Sequence, residues 1–93
     1  ETPYKFTSPP ELQTAASCWP NRGGTNPPLF LVNSWVESYP PNPEKATIVN
    51  RRPFLLERAR RCEMQRSLTA NLLAVDFADR GDVVGVARVL NRR

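Results

Sequence analysis

The stretch NLLAVDFADRGDVVGVARVLN, residues 71–91, decides the reading of the fold. Its first seven residues are a near-continuous apolar run containing one acid, Asp76. A short apolar run bounded by turn signals reads as a strand covered on both faces, as in a parallel sheet. ADRGD then makes a turn, and Asp82 is placed to cap a helix. In VVGVARVLN the apolar residues fall at helical spacing, so Val83, Val86, Ala87 and Leu90 would face a sheet. The reading is a buried strand over 71–77 followed by a helix over 82–92.

The same pattern occurs upstream. LFLVNSWV, residues 29–36, is a short run of aliphatic and aromatic residues with Pro27-Pro28 before it and Pro40-Pro41 after it. Its length and bounds predict a strand, apolar on both faces for its first four residues. Residues 43–66 read as helical, with Asn42 as cap and Pro43 at the first helical position. Ala46, Ile48, Val49, Leu55, Ala59 and Cys62 roughly track one face, and Pro53 predicts a kink or a restart near Asn50 to Arg52. Residues 1–28 carry six prolines and Gly23-Gly24, a loop-rich lead-in with room for one short helix, capped by Ser8 and running to about Ser17. Strand–helix–strand–helix is the repeat of an α/β fold with parallel strands. Two such strands leave apolar side chains on an uncovered face, so the sequence asks for further strands from another segment or chain.

Composition bounds the function. Ninety-three residues allow one domain at most and are too few for a complete (β/α) barrel, which needs about 200 or more. The chain has no histidine, which removes any mechanism in which it supplies its own imidazole base. With two cysteines and no histidine, a four-ligand Cys/His zinc site is excluded as well. At 40% apolar and 24% charged residues the chain has the composition of a folded protein. No apolar stretch approaches the ~20 residues of a membrane span. The sequence begins at Glu1 with no charged start and apolar run of a signal peptide. That start reads as a processed product or a piece of a longer chain, with an arbitrary cloning boundary as the alternative. Of the thirteen basic residues eleven are Arg, and ten of the thirteen lie in residues 48–93. An Arg-rich half suits phosphate or nucleic acid. No interleaved aromatics or glycine-rich loop accompany it, so a solvated helix face is the preferred reading and no nucleic-acid partner is expected.

Asp76 is the sharpest chemical feature. An acid at the carboxyl end of a buried strand lies where catalytic groups sit in α/β folds. It would orient a histidine supplied from elsewhere or act as a general acid or base; the alternative is a satisfied buried acid capping the next loop. Asn33 and Ser34, near the end of the first strand, are placed to hydrogen-bond a substrate or water, or are ordinary strand-end polar residues. Trp35, Trp19, Tyr39 and Tyr4 would line a pocket there or pack in core and loops. Cys18 and Cys62 lack CxxC spacing. In an exported chain they would form one disulfide, worth roughly 3–4 kcal/mol in the chain-entropy account; a pair of free buried thiols is the alternative.

Several stretches are similar to one superfamily. NLLAVDFADRGDVVGVARVLN resembles the last strand and helix of the phospholipase C-like phosphodiesterases, the superfamily of the phosphatidylinositol-specific phospholipase C X-domain. CWPNRGG followed by PLFLVNSWV resembles the preceding loop and strand of exported bacterial members, IVNRRPFLLERARRC the helix between them with its cysteine, and ETPYKFTSPPEL the segment leading in. The resemblance implies a distorted eight-stranded TIM barrel with its active site at the carboxyl ends of the strands. This chain would be its carboxyl-terminal third, contributing about two parallel strands with their helices. Two histidines and an arginine act on the phosphodiester in that family, and they come from the first half of the barrel. The resemblance makes Asp76 the carboxylate that orients the base histidine, and Asn33, Ser34 and Trp35 part of the substrate-pocket rim. Many relatives read NHW where this chain has Asn33-Ser34-Trp35, which puts a substrate contact from Ser34 in doubt.

The implied partners are the amino-terminal remainder of the barrel and a phosphodiester or lipid substrate. The implied location is secreted or cell-envelope. The cofactor stays open: a divalent cation such as calcium is compatible with the family, and no residue of this chain requires one. A non-catalytic subunit built on the same partial barrel is the second reading, motivated by Ser34.

Overall fold

The computed structural model describes residues 1–92. Its elements are 3₁₀ turns at Pro9–Gln13 and Ala15–Cys18, strand β1 (Phe30–Asn33), helices α1 (Pro43–Val49) and α2 (Arg52–Arg66), strand β2 (Ala70–Ala74) and helix α3 (Val83–Asn91). β1 and β2 pair in parallel, with Leu31 opposite Leu72 and Asn33 opposite Ala74. The protein is therefore an α/β fold with a two-stranded parallel sheet.

Both strands are shorter than the apolar runs that encode them. Ser34 extends the pairing by one bond, its N–H donating to Ala74 O at 2.8 Å. Beyond it, residues 35–39 leave the sheet toward a cis Tyr39–Pro40 peptide. Asp76, expected within a strand over 71–77, lies two residues past the end of β2.

The helical stretch over 43–66 divides into two. Asn42 Oδ1 accepts from the N–H groups of Glu44 and Lys45 at 2.9 and 3.1 Å, which starts α1. Arg51 adopts extended backbone angles, and α2 starts at Arg52 with Pro53 in its first turn. A first-turn proline lacks an N–H that would have no helical acceptor anyway, so Pro53 opens the second helix without kinking it. Asp82 caps α3 through Gly85 N at 3.2 Å, and its other oxygen accepts from Arg52 Nε at 2.6 Å, joining the starts of α2 and α3.

The lead-in differs from the single short helix expected there. It forms two 3₁₀ turns interrupted at Thr14, and Ser8 makes no capping bond. Ser8 Oγ and Thr7 Oγ1 both donate to the Glu11 carboxylate instead. The reason lies in α2. Arg58, fully buried, donates to Leu12 O at 3.0 Å and Ser17 O at 3.1 Å, so these carbonyls are satisfied from another element and need no regular helix.

Three small apolar clusters make the core. Phe6, Leu12, Val36 and Val49 pack beneath the lead-in. Cys18, Phe30, Val32 and Cys62 pack between β1 and α2. Leu55, Ala59, Val86 and Leu90 join α2 to α3, and Leu73 of β2 packs against the last two clusters. Phe30, Val32, Leu73 and Val75 thus turn toward the helices, as the two-residue period of a strand requires. Leu31 and Leu72 stand on the opposite face, where Leu72 is 54% exposed. The strand over 71–77, expected to be buried, is covered by this chain on one face only. Among the described residues β2 has no strand on its outer edge.

Candidate functional site

The site begins from the register. With Asn33 opposite Ala74, the chains leaving the sheet carry Trp35 and Asp76 side by side at the carboxyl ends of the two strands. Both line an open cleft of about 550 Å³, together with Thr7, Glu37, Ser38 and Tyr39 among others. The strand-end position expected for Asp76 therefore coincides with a concavity.

Asp76 is held from behind. Asn50, at the junction of α1 and α2, donates from Nδ2 to Asp76 O at 3.0 Å and Phe77 O at 3.2 Å, while its own carbonyl accepts from Asp82 N at 2.9 Å. Gly81 packs against the Asn50 backbone in the left-handed region at φ +72°, where a Cβ would collide with it. One asparagine at a helix junction thus fixes both ends of the loop from β2 to α3. The sequence marked Asn50 only as a boundary; its side-chain task carried no local signal.

The electrostatics of Asp76 follow from its surroundings. Its Oδ1 is buried and accepts no hydrogen bond from the described residues. Desolvation pushes its pKa above the ordinary aspartate value, against a smaller lowering from a backbone hydrogen bond. Ser34 Oγ, fully buried at the end of the neighbouring strand, likewise has no partner. Buried polar atoms are nearly always paired, so these two oxygens, with Asn50 Oδ1 as another such atom among the described residues, stand out as unsatisfied. A carboxylate so placed accepts strongly from an N–H donor and stabilises its positive charge.

Of the residues expected to contact substrate, Trp35 lines the cleft, and Asn33 and Ser34 do not. Asn33 is buried, and its Nδ2 donates to Thr2 O at 2.8 Å and Glu1 Oε1 at 3.2 Å. Its carbonyl accepts from Arg58 Nη2 at 2.7 Å. These bonds tie β1 to the lead-in and α2. Tyr4 stacks on Trp35 with centroids 6.0 Å apart, whereas Trp19 is 59% exposed and does not line the cleft.

The cysteines form the disulfide Cys18–Cys62, with Cα atoms 5.0 Å apart and both residues fully buried. Beside it Arg58 extends its guanidinium to Ser17 Oγ at 2.6 Å and lies 5.3 Å from the centre of the Phe6 ring. Burial and the nearby Arg61 lower its pKa to about 10, so it stays protonated at neutral pH. The arginines of α2 are therefore not only a solvated face: Arg58, Arg61 and Arg66 all donate to carbonyls of the lead-in. Among the described residues no group of three or more His, Cys, Asp or Glu side chains is arranged to hold a metal ion.

No family model, curated protein or solved structure matches the chain.

Proposed function

We propose that this chain is the carboxyl-terminal part of an exported phospholipase C-like phosphodiesterase, contributing two strands to a distorted TIM barrel. The observation that carries the reading is Asp76: a carboxylate at the carboxyl end of a parallel strand, with one oxygen buried and unpartnered. The outer edge of β2, where no strand lies among the described residues, supports it, since a barrel supplies a neighbour strand there. In this reading Asp76 accepts the Nδ1–H of a histidine from the remainder of the barrel, fixing its tautomer and stabilising the imidazolium. That histidine takes the proton from the attacking hydroxyl as the new P–O bond forms. A second histidine protonates the departing alcohol as the old P–O bond breaks. The disulfide fits an oxidising compartment and hence export.

Intact-mass measurement of the native material tests the composition. A histidine-bearing segment of roughly 150–200 residues should accompany this one, as a second chain or by continuity. In that assembly Asp76→Asn should lower turnover of a phosphodiester by about 10²-fold or more. Unchanged turnover would sink the role. The same resemblance supports a second reading, a non-catalytic subunit, because Ser34 stands where many members of that superfamily carry histidine. It predicts that the partner segment lacks two histidines and an arginine at its strand ends.

A further inference from the structure

We propose that Cys18 and Cys62 form a thiol–disulfide exchange centre, in which Arg58 holds Cys62 as the thiolate and Cys18 carries the mixed disulfide with a low-molecular-weight thiol of the glutathione class. This chemistry is independent of the phosphodiesterase reading. It starts from a charge without a counterion. Arg58 is fully buried, yet among the described residues it forms no ion pair. Its guanidinium is spent on neutral acceptors, the carbonyls of Leu12, Ser17 and Asn33 and the hydroxyl of Ser17. A buried cation is ordinarily matched by an anion. Arg58 Nη1 also points at Cys62 Sγ, 3.8 Å away. In the closed disulfide that sulfur is neutral; once the bond opens, a thiolate there supplies the missing charge.

The two sulfurs are not equivalent. Cys18 Sγ lies 3.9 Å from Ser17 Oγ, whose proton is directed to Thr14 O at 2.6 Å, so it faces a hydroxyl and no cation. The other charges on α2 near the pair are engaged elsewhere: Arg61 donates to Leu12 O, Arg66 to Cys18 O, and Glu63 accepts from Ala70 N. β1 brings only Phe30 and Val32 to this cluster. Access differs as well. Cys18 ends a four-residue 3₁₀ turn beside Trp19, which is 59% exposed, whereas Cys62 lies inside the fifteen-residue α2. The short turn opens more readily than the helix and bares Cys18. An incoming thiolate then bonds to Cys18 Sγ as the Cys18–Cys62 bond breaks, and Cys62 departs as a thiolate beside Arg58. A second small thiolate removes the first as its disulfide and leaves Cys18 reduced. In the oxidising direction the Cys62 thiolate attacks Cys18 of the mixed disulfide and expels the small thiolate. A stabilised leaving thiolate speeds the departure of Cys62.

The oxidised 93-residue chain, treated with reduced glutathione, quenched early in acid and mapped by peptide mass, tests this. Glutathione is expected on Cys18 in about tenfold excess over Cys62. Arg58→Lys, which keeps the charge, should retain that preference. Arg58→Met should bring it near parity, whereas a choice set by access alone would survive loss of the charge. A Cys18→Ala chain adds a readout that needs no access: the ultraviolet absorbance of the Cys62 thiolate at neutral pH. The inference fails if Cys62 carries as much glutathione as Cys18, or if Arg58→Met folds and keeps the full preference. If Arg58→Met does not fold, the Cys18→Ala chain decides: thiolate absorbance upholds the inference and its absence overturns it.

Discussion

The two strands are written in the same language and finished differently. FLVN of β1 is buried at three of its four residues, whereas in ANLLA of β2 two residues are exposed and three half-buried. β1 has β2 on one edge and the lead-in on the other, where Thr2 N donates to Leu31 O and Thr2 Oγ1 accepts from Asn33 N. Arg58 closes its carboxyl end, and the Cys18–Cys62 disulfide pins the layer above it. β2 has a helical layer on one face, β1 on one edge, and an acid with an unpartnered oxygen beyond its end. The contrast teaches that an apolar run states a demand for cover without saying who meets it. For β1 this chain meets the demand; for β2 it meets half.

The comparison can be broken most severely at the disulfide. It closes a sequence separation of 44 residues, and Cys62→Ser should cost about 4 kcal/mol, lowering the thermal midpoint by roughly 20 °C in calorimetry. A shift of only a few degrees would show that the lead-in is held on β1 without it. Next is Arg58→Met, which strands the carbonyls of Leu12, Ser17 and Asn33 in the interior. A loss of about 3 kcal/mol is expected in urea unfolding, with Arg58→Lys recovering only part because a single ammonium cannot span the fork.

On the β2 side the mechanical weak point is the loop from Asp76 to Asp82. Gly81→Ala should destabilise by about 2 kcal/mol, since the added Cβ meets the Asn50 backbone at positive φ. The loss of order should appear in hydrogen exchange of residues 76–82 before it reaches β1. Acid titration separates the two sides further. Hydrogen bonding from Arg22, with help from Asn33, holds the Glu1 carboxyl at about 2, below its ordinary 4.5. A depressed carboxyl contributes stability above its unfolded pKa and loses it as pH falls through the folded one. Glu1→Gln should therefore flatten the stability profile between about pH 4.5 and 2, measured by denaturation at each pH. Asp76 has the opposite sign. Its raised pKa means that ionisation opposes folding as pH rises above the ordinary 3.8, so Asp76→Asn should raise the midpoint of the chain slightly at pH 7. Loss of turnover in the assembly together with gain of stability in the chain would mark a residue kept for chemistry at the cost of packing.

The sequence alone determined the elements that depend on local chemistry. Period and punctuation set two parallel strands with helices between and after them. Asn42-Pro43 and Asp82 started helices because their side chains reach the first free N–H groups, and Pro53 set a boundary because it lacks an N–H. The apolarity of both strands stated a demand for cover, and β1 found it within this chain whereas β2 did so on one face. Only tertiary structure decided which polar groups are paired within the fold and which are left without a partner among the described residues. In RARRC nothing local separates Arg58 from its neighbours; it is buried because carbonyls of Leu12, Ser17 and Asn33 converge on it from three other segments. Asn33 and Asp76 both stand at strand ends and read alike as site residues. The register and the lead-in gave Asn33 partners in Glu1, Thr2 and Arg58, while Asp76 Oδ1 was left with none. Hydrogen-bond satisfaction of a buried group is a property of what surrounds it, and those surroundings come from residues 25 or more positions away.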